Sequence, residues 1–267
     1  MLLIPGRRVR SSAPLAVDLG TARTRVWAPE AGLLLDEPTL VAVDFTGVVA
    51  AGRQAWECSA ATSARLRFPV RAALAVDPID CVRFLQVLFE QERLEPAGPV
   101  VLSVPAAASP YEASILSAVV SSVVGNRVTP VDSLLAAGIG IGLPVDEPAA
   151  GIVCDVGAGV LEIGVIGDGR LRGRACAVTG TRDYLDDPGR LLAPAQAALR
   201  RALDEVPAVV AGDVAAGPVH LVGGGALVPG LATDLAGALH ADVVVADEPR
   251  TAGIRGLARC METALVA

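Results

Sequence analysis

The sequence predicts an α/β protein of two lobes that share a central nucleotide cleft, and three observations support this fold class. The chain has 267 residues, of which 52% are hydrophobic, so it can bury the core of one large domain or of two lobes. Short β-rich runs alternate with helical stretches from end to end, as in α/β proteins. One strand-turn-strand pattern also occurs twice, which indicates a duplicated lobe.

Strands and helix starts can be read from local signals. Strands are predicted where apolar, β-branched runs end at turn residues, at 15–18, 24–28, 100–104, 152–155, 161–166, 219–222 and 242–246. Ser109 and Glu112 form a capping box, and the helix that follows is expected to stop at Gly125. Asp77 opens a second helix in the same manner, and Pro229 opens a third.

The repeated pattern is an apolar strand that ends in Asp-x-Gly, followed by a tight turn and a second strand. It occurs at residues 16–21 (AVDLGT) and again, 137 positions later, at residues 153–158 (VCDVGA). We place the lobe boundary near residues 144–150, where Pro, Asp and Glu interrupt the apolar pattern. The predicted organisation is a flexible tail (1–14), a first lobe (15–146, with a small subdomain at about 45–95) and a second lobe (147–267).

The two hairpins are candidate phosphate-binding loops. Turns of Gly and small residues expose successive backbone N–H groups, and such a concavity binds phosphate oxygens. Asp18 and Asp155 end the first strand of each hairpin and are candidates to hold Mg²⁺ through its retained waters. The candidate loop residues are Gly20, Thr21, Ala22 and Arg23 in the first hairpin and Gly157, Ala158 and Gly159 in the second. One Asp-x-Gly turn is more often a plain hairpin, and the pair is the stronger signal.

A third glycine cluster follows the predicted strand at 219–222. It consists of Gly223, Gly224, Gly225 and Ala226. Glycines at this place let a flat ring approach the backbone, so we predict a contact with adenine. The cluster does not match the dinucleotide-binding fingerprint, which requires GxGxxG in the first strand-to-helix turn.

Composition argues against several classes of partner. The net charge is −7, which repels nucleic acid, and the cysteines form no CxxC pair, which favours a reduced, cytoplasmic setting. The longest apolar runs are too short to span a bilayer. For residues 1–4, which are followed by Arg7, Arg8 and Arg10, two interpretations stay open: a weak membrane-surface anchor and a frayed tail.

Five segments in this order resemble the MreB family of bacterial actins. They are residues 18–24 (DLGTART), 35–42 (LDEPTLVA), 155–159 (DVGAG), 223–227 (GGGAL) and 247–249 (DEP). The chain is identified as a shortened and divergent member of this family. The resemblance implies an actin-like fold of duplicated ribonuclease-H-like lobes with ATP and Mg²⁺ in the cleft. It also implies filaments under the membrane, formed with itself or a full-length relative, and a role with cell-wall morphogenesis proteins.

The chain departs from the family pattern at the catalytic position. Where the family has a water-activating Glu, this chain has Ser133, preceded by Asp132. A hydroxyl without a partner base cannot polarise water as a carboxylate does, and such a loss typically costs about 10²-fold or more in rate. Asp132 is a weak substitute, because adjacent side chains on a strand point to opposite faces. We therefore expect slow or absent hydrolysis.

Further departures concern the loops and the second lobe. The second loop has Ala158 for a Gly and lacks the family's threonines, and Arg23 replaces an Asn. Arg23 is either a phosphate contact or an outward-facing surface residue. Residues 181–218 replace a small subdomain and are expected to hold at most a short helix around 195–206. The second lobe is therefore expected to be trimmed and ATP binding to be weak.

Three hypotheses of function follow. The first is a cytoskeletal protein of cell shape that binds ATP weakly, hydrolyses it little or not at all, and acts by association with filaments of a full-length relative. The second is an active ATPase or small-molecule phosphotransferase of the same superfamily. The third is a scaffold that binds no nucleotide.

Overall fold

The computed structural model describes residues 9–11, 14–29, 31–71, 74–75, 77–125 and 127–266. The strands are β1 (Val9–Ser11), β2 (Leu15–Leu19), β3 (Arg23–Ala28), β4 (Gly32–Pro38), β5 (Val41–Asp44), β6 (Gly47–Ala51), β7 (Arg65–Arg67), β8 (Val70–Arg71), β9 (Leu74–Ala75), β10 (Leu94–Pro96), β11 (Val100–Val104), β12 (Val128–Asp132), β13 (Gly151–Val156), β14 (Leu161–Gly167), β15 (Arg170–Ala177), β16 (Val219–Val222) and β17 (Val243–Val245). The helices are α1 (Arg53–Ala61), α2 (Pro78–Gln91), α3 (Pro110–Val124), α4 (Ser133–Gly140), α5 (Thr181–Asp186), α6 (Gly189–Asp204), α7 (Ala208–Ala215), α8 (Leu231–Leu239) and α9 (Ala252–Val266), with 3₁₀ turns at Gly224–Leu227 and Pro249–Thr251.

The chain divides into two compact units. The first unit comprises residues 1–104, 108–130 and 261–267, and the second comprises residues 105–107 and 131–260. This division falls before the boundary that the sequence predicted near 144–150. The reason is that α4 packs on β13 and β14, where Leu134 and Ala137 share a buried cluster with Val153 and Ile166.

The first unit is built on a five-stranded sheet of order β12-β11-β2-β3-β4. One face of this sheet carries the core, in which Val17 and Val26 pack with Phe84 of α2 and Val120 of α3. A smaller sheet of order β6-β5-β7 packs on α1 over a separate small cluster that includes Leu40 and residues 42, 50, 55 and 64. The part of the predicted tail at Val9–Ser11 is a strand that pairs in parallel with β10. The predicted lipid contact of residues 1–4 lies outside the described residues.

The second unit repeats the same strand order. Its sheet runs β17-β16-β13-β14-β15, so an antiparallel three-strand meander is joined to a parallel strand beside its first member, as β11 joins β2 in the first unit. The core lies between this sheet and α6 and α8, with Leu191, Ala198, Leu231 and Leu235 fully buried. The duplication predicted from the two Asp-x-Gly hairpins is confirmed by this shared topology.

The local signals placed most elements correctly. Each predicted strand is present within two residues of its expected ends. The backbone N–H of Glu112 donates to Ser109 Oγ (3.3 Å), that of Ser109 donates to Glu112 Oε2 (2.8 Å), and Gly125 ends the helix at φ 65°. The third predicted helix begins at Leu231 rather than at Pro229.

The interval at 181–218 differs from the prediction. It contains α5, α6 and α7 rather than at most a short helix around 195–206, and α6 alone has 16 residues. Its buried residues recur every three or four positions (Leu191, Ala195, Ala198, Ala202), so one face packs on β14 and β15. Pro194 lies in the second turn of α6, and Ala supplies most of the buried face, which obscured the periodicity in the sequence.

Candidate functional site

The two Asp-x-Gly hairpins turn in the same way. In the first unit the N–H of Gly20 donates to Arg23 O (3.0 Å), and in the second the N–H of Gly157 donates to Val160 O (2.9 Å). A Cβ atom on Gly20 would lie 2.9 Å from Arg23 O, and one on Gly157 would lie 3.3 Å from Val160 O. Side chains are therefore disfavoured at both positions, as a close backbone turn requires.

The first loop is braced by Thr39. Its N–H donates to Ala22 O (3.0 Å), and its hydroxyl donates to Gly20 O (2.8 Å). Thr24 Oγ1 lies 2.9 Å from Thr39 Oγ1 and completes the buried contact. The Asp36–Thr39 segment, which the sequence identified only as a family match, thus fixes the carbonyl groups of the candidate phosphate turn.

Asp18 is held by a cation within its own unit. Arg25 is its partner on β3, and Arg25 Nη1 donates to Asp18 Oδ2 (3.2 Å). Arg25 Nε also lies 3.3 Å from Asp36 Oδ1, and Arg23 is bound by the same Asp36. Burial raises the pKa of Asp18, and Arg25 opposes that effect. Asp18 therefore has a guanidinium partner within its own unit, and its role as a metal-holding carboxylate stays a prediction.

The second loop lies against Gly180. The N–H of Thr181 donates to Gly157 O (3.0 Å). A Cβ atom on Gly180 would lie 2.5 Å from both Ala158 C and Gly159 N, which is closer than real Cβ contacts allow. The start of α5 therefore supports the turn from behind, and only a glycine fits there.

The third loop packs directly on Asp155. Gly223 has φ 83°, and a Cβ atom there would lie 2.1 Å from Asp155 Oδ1. A Cβ atom on Gly225 would lie 2.5 Å from Val156 Cγ1, whereas a Cβ atom on Gly224 would have no neighbour within 4 Å. The structure thus brings together Asp155, the second loop and the glycine cluster within one unit. It leaves an exposed backbone surface at Gly224, where a flat ring can approach.

Ser133 is the first residue of α4 and has a carboxyl partner. Ser133 Oγ donates to Glu162 Oε2 (3.0 Å), while Glu162 Oε1 accepts from the N–H of Ala107 (3.0 Å). Glu162 is buried, and burial, followed by the charge of Asp155, raises its pKa to about 7. The premise that this hydroxyl lacks a partner base was therefore wrong. Both oxygens of that base are nevertheless occupied by protein donors.

Asp132 is the N-cap of α4. Its Oδ1 accepts from the N–H groups of Leu134 (3.0 Å) and Leu135 (3.4 Å), and its Oδ2 lies 3.7 Å from Arg174. Burial raises its pKa, and those backbone hydrogen bonds oppose the rise. The carboxylate is thus used to start the helix, which is a structural role.

The predicted Mg²⁺ site depends on which carboxylates lie close together. Among the residues that the structure describes, no group of three His, Cys, Asp or Glu is arranged to hold a metal ion. Asp155 and Glu162 are direct cross-strand partners and therefore share one face of the sheet. A hydrated Mg²⁺ needs only one or two protein carboxylates. Both Glu162 oxygens, however, already accept hydrogen bonds from Ala107 and Ser133.

Comparison with known proteins identifies the family. The sequence profile of the MreB/Mbl protein family matches residues 12–187 and 191–266. The chain belongs to the MreB/Mbl family. It is 29% identical over 167 residues to the cell shape-determining protein MreB of Escherichia coli (strain K12) and, over the same number of residues, to that of Haemophilus influenzae. These alignments cover 58% of this chain and 48% of the relative, so the matched part spans about half the length of the curated relatives.

Solved structures show the same fold. The crystal structure of MreB5 of Spiroplasma citri bound to ADP matches with a TM-score of 0.82 and 16% identity, covering 94% of this chain and 96% of that chain. The structure of the same protein bound to AMPPNP matches with a TM-score of 0.80 and 16% identity, covering 95% and 96%. The chain thus has the two-lobed actin-like fold expected from the sequence. No helix among the described residues is both long and apolar enough to cross a bilayer.

Several supporting residues were missed from the sequence. Glu162 lies in β14, which is buried along its whole length. A lone Glu in such an apolar strand indicates that its carboxyl has a hydrogen-bonding or charged partner. Arg25 could have been paired with Asp18 from the short turn between β2 and β3, because turn length fixes register. Gly180 and Thr39 gave no such signal, since their partners lie far away in the sequence.

Proposed function

We propose that this MreB/Mbl family member is a cytoskeletal protein of cell shape that acts by associating with filaments of a full-length relative or with itself. Family membership supports this proposal, as does the similarity to cell shape-determining proteins MreB. The protein acts in the cytoplasm at the membrane surface, where it works together with cell-wall morphogenesis proteins.

The protein binds ATP through its glycine loops. Support comes from the two matched turns, from the packing of the glycine cluster on Asp155, and from fold relatives described as bound to ADP and to AMPPNP. The residues proposed to contact nucleotide are Asp18, Gly20, Thr21, Ala22 and Arg23 of the first loop, Asp155, Gly157, Ala158 and Gly159 of the second, and Gly223, Gly224, Gly225 and Ala226 of the third. Mg²⁺ is proposed to accompany the nucleotide on the Asp155 side.

Hydrolysis is slow because the carboxylate is missing at Ser133. The Ser133 hydroxyl donates a hydrogen bond to Glu162, and each Glu162 oxygen already accepts one hydrogen bond from the protein. A water molecule at Ser133 therefore meets a hydroxyl in place of the family's carboxylate. General-base catalysis is worth about 10²- to 10⁴-fold, which sets the size of the expected loss.

A second candidate, a slow but genuine ATPase, is favoured by the Ser133–Glu162 hydrogen bond. That pair gives the hydroxyl a carboxyl to which a proton can pass. Phosphate release that is abolished by Asp18→Ala and by Asp155→Ala would support this candidate over the first.

The filament proposal is tested by co-sedimentation with a full-length MreB, with and without ATP. Phe45 is 99% exposed at the turn between β5 and β6, and Tyr111 is 74% exposed on α3. We expect Phe45→Ser to lower the pelleted fraction and the matched Tyr111→Ser to leave it unchanged. Absence of the wild-type chain from the pellet in both nucleotide conditions contradicts the proposal.

A further inference from the structure

The helix α1 is capped by a residue from outside the helix. Its N-cap, Gly52, has no side chain that could accept from the first N–H groups. Glu37 of β4 accepts instead: Glu37 Oε2 binds the N–H of Arg53 (2.8 Å), and Glu37 Oε1 binds Arg53 Nη2 (3.0 Å). The Glu37 side chain is only 13% exposed, whereas that of Arg53 is 69% exposed. A carboxylate at this end of a helix is also favoured by the helix dipole.

The backbone at Gly52 leaves room for this carboxylate. Gly52 has φ 62°, and a Cβ atom there would lie 2.8 Å from Glu37 Oε2. A side chain at this position would therefore displace Glu37 from the start of α1. The N–H of Gly52 also donates to Leu40 O (2.9 Å), so Glu37 and Leu40 both hold the start of the helix.

Between these two residues, Thr39 holds the first candidate phosphate loop. Thr39 is buried, its N–H donates to Ala22 O (3.0 Å), and its hydroxyl donates to Gly20 O (2.8 Å). Glu37 and Thr39 are separated only by Pro38, whose ring fixes φ. A displacement of the loop carbonyl groups is therefore passed to Glu37 through one stiff residue.

The helix α1 extends this contact to the small sheet. It packs on β5, β6 and β7, and Ala55 is fully buried with Leu40 in the same small cluster. Trp56, the next residue of the helix, is 55% exposed. A movement of α1 therefore changes the surroundings of a half-exposed indole ring.

We infer that Glu37 is a positioning residue that links nucleotide at the first loop to the placement of α1. Phosphate bound by the turn at 20–23 fixes the carbonyl groups that Thr39 holds, and Glu37 transmits this constraint to the helix. The inference rests on the proposed ATP binding and adds a means of regulating that site. Because the coupling of two binding events is reciprocal, a partner that fixes α1 also changes the affinity for nucleotide.

The test follows the fluorescence of Trp56 while AMPPNP and Mg²⁺ are added. The sequence has two tryptophans, so Trp27→Phe leaves Trp56 as the only one. Calorimetry measures AMPPNP binding in the same samples, and circular dichroism reports folding. We expect a saturable change in Trp56 emission whose midpoint equals the dissociation constant from calorimetry.

Three variants in this background separate the contact from a general effect on the fold. Glu37→Ala removes the acceptor, so we expect it to abolish the Trp56 response at saturating AMPPNP and to weaken AMPPNP binding about fivefold or more. Glu37→Gln keeps an oxygen that accepts from the N–H of Arg53, so we expect it to retain the response. Glu90→Ala removes an exposed carboxyl on α2 and is expected to change neither measurement.

Arg53→Pro is the second variant, should Glu37→Ala not fold. Pro is tolerated at the first position of a helix and removes the same N–H donor, so we expect the same loss of response. Two results overturn the inference: AMPPNP binding that leaves Trp56 emission unchanged, and a folded Glu37→Ala or Arg53→Pro variant that keeps the full response. Absence of AMPPNP binding by calorimetry overturns the proposed function itself, and this inference with it.

Discussion

The buried Glu162 carboxyl makes a pH-dependent contribution to stability that a single substitution removes. Burial and the charge of Asp155 raise its pKa from 4.5 to about 7 in the folded chain. Below about pH 4.5 the group is protonated in both folded and unfolded chains, so it does not lower the free energy of unfolding. Between these values only the folded chain keeps the proton, so stability falls as pH rises. Above about pH 7 the carboxylate is charged in both states and the full cost is present.

Glu162→Gln is the suitable perturbation because the amide preserves both contacts. Its oxygen accepts from the N–H of Ala107, and its NH₂ group donates to Ser133 Oγ, whose lone pairs are available once the hydroxyl rotates. A shift from 4.5 to about 7 corresponds to roughly 3 kcal/mol in full. We expect the free energy of unfolding of the variant, relative to wild type, to rise by about 2 to 3 kcal/mol between pH 5 and pH 8.

The assay is guanidinium chloride unfolding followed by circular dichroism at pH 5, 6, 7 and 8. Hydrogen exchange of the amides at 151–167 reports on the same unit locally. Glu57→Gln, an exposed carboxyl on α1, controls for the loss of one surface charge. A stability difference between Glu162→Gln and wild type that is constant across this pH range refutes the reasoning.

Three further predictions follow from the structure. A Cβ on Gly256 would lie 1.6 Å from Ala136 O, so we expect Gly256→Ala to lower the free energy of unfolding by about 2 kcal/mol or more. At Gly253 in the same helix a Cβ would meet nothing within 4 Å, so we expect Gly253→Ala to change this free energy by less than about 1 kcal/mol. Equal effects of the two substitutions contradict the packing of Gly256 on Ala136. Asp77→Ala removes the cap that binds two N–H groups of α2 and is expected to lower the unfolding midpoint by an amount equivalent to about 1 kcal/mol; an unchanged midpoint contradicts that role. Ser133→Glu is expected to raise phosphate release about tenfold or more over wild type; an unchanged rate with intact ATP binding counts against Ser133 as the degenerate catalytic position.

The fold was largely predictable because its strongest signals are local. The strand that ends at Asp155 is an apolar run closed by Gly157, and the capping box at Ser109 marks a helix start without reference to the rest of the chain. The helix α6 was missed for the converse reason. Its buried face is made mostly of small Ala residues, and its position is fixed by packing on β14 and β15.

The candidate site was only half predictable, because its geometry depends on residues that are distant in sequence. The glycines of the three loops were recognisable from spacing. The contact of Gly223 with Asp155 and the support of the second loop by Gly180 required the folded chain. The partner of Ser133 could not be foreseen either, since Glu162 reaches it across 29 residues. The hydrogen bond shows that the Ser133 hydroxyl has a carboxyl partner, contrary to the expectation from the sequence.

The central claim, that the glycine loops bind ATP, is tested most directly by titration with a fluorescent ATP analogue plus Mg²⁺. A Cβ on Gly224 meets nothing within 4 Å, so Gly224→Leu extends into the space proposed for adenine without disturbing the fold, and Gly212→Leu on α7 is the matched control. We predict saturable binding by wild type and by Gly212→Leu, and at least tenfold weaker binding by Gly224→Leu. A flat response of the wild type up to millimolar analogue contradicts the account and leaves a scaffold that binds no nucleotide.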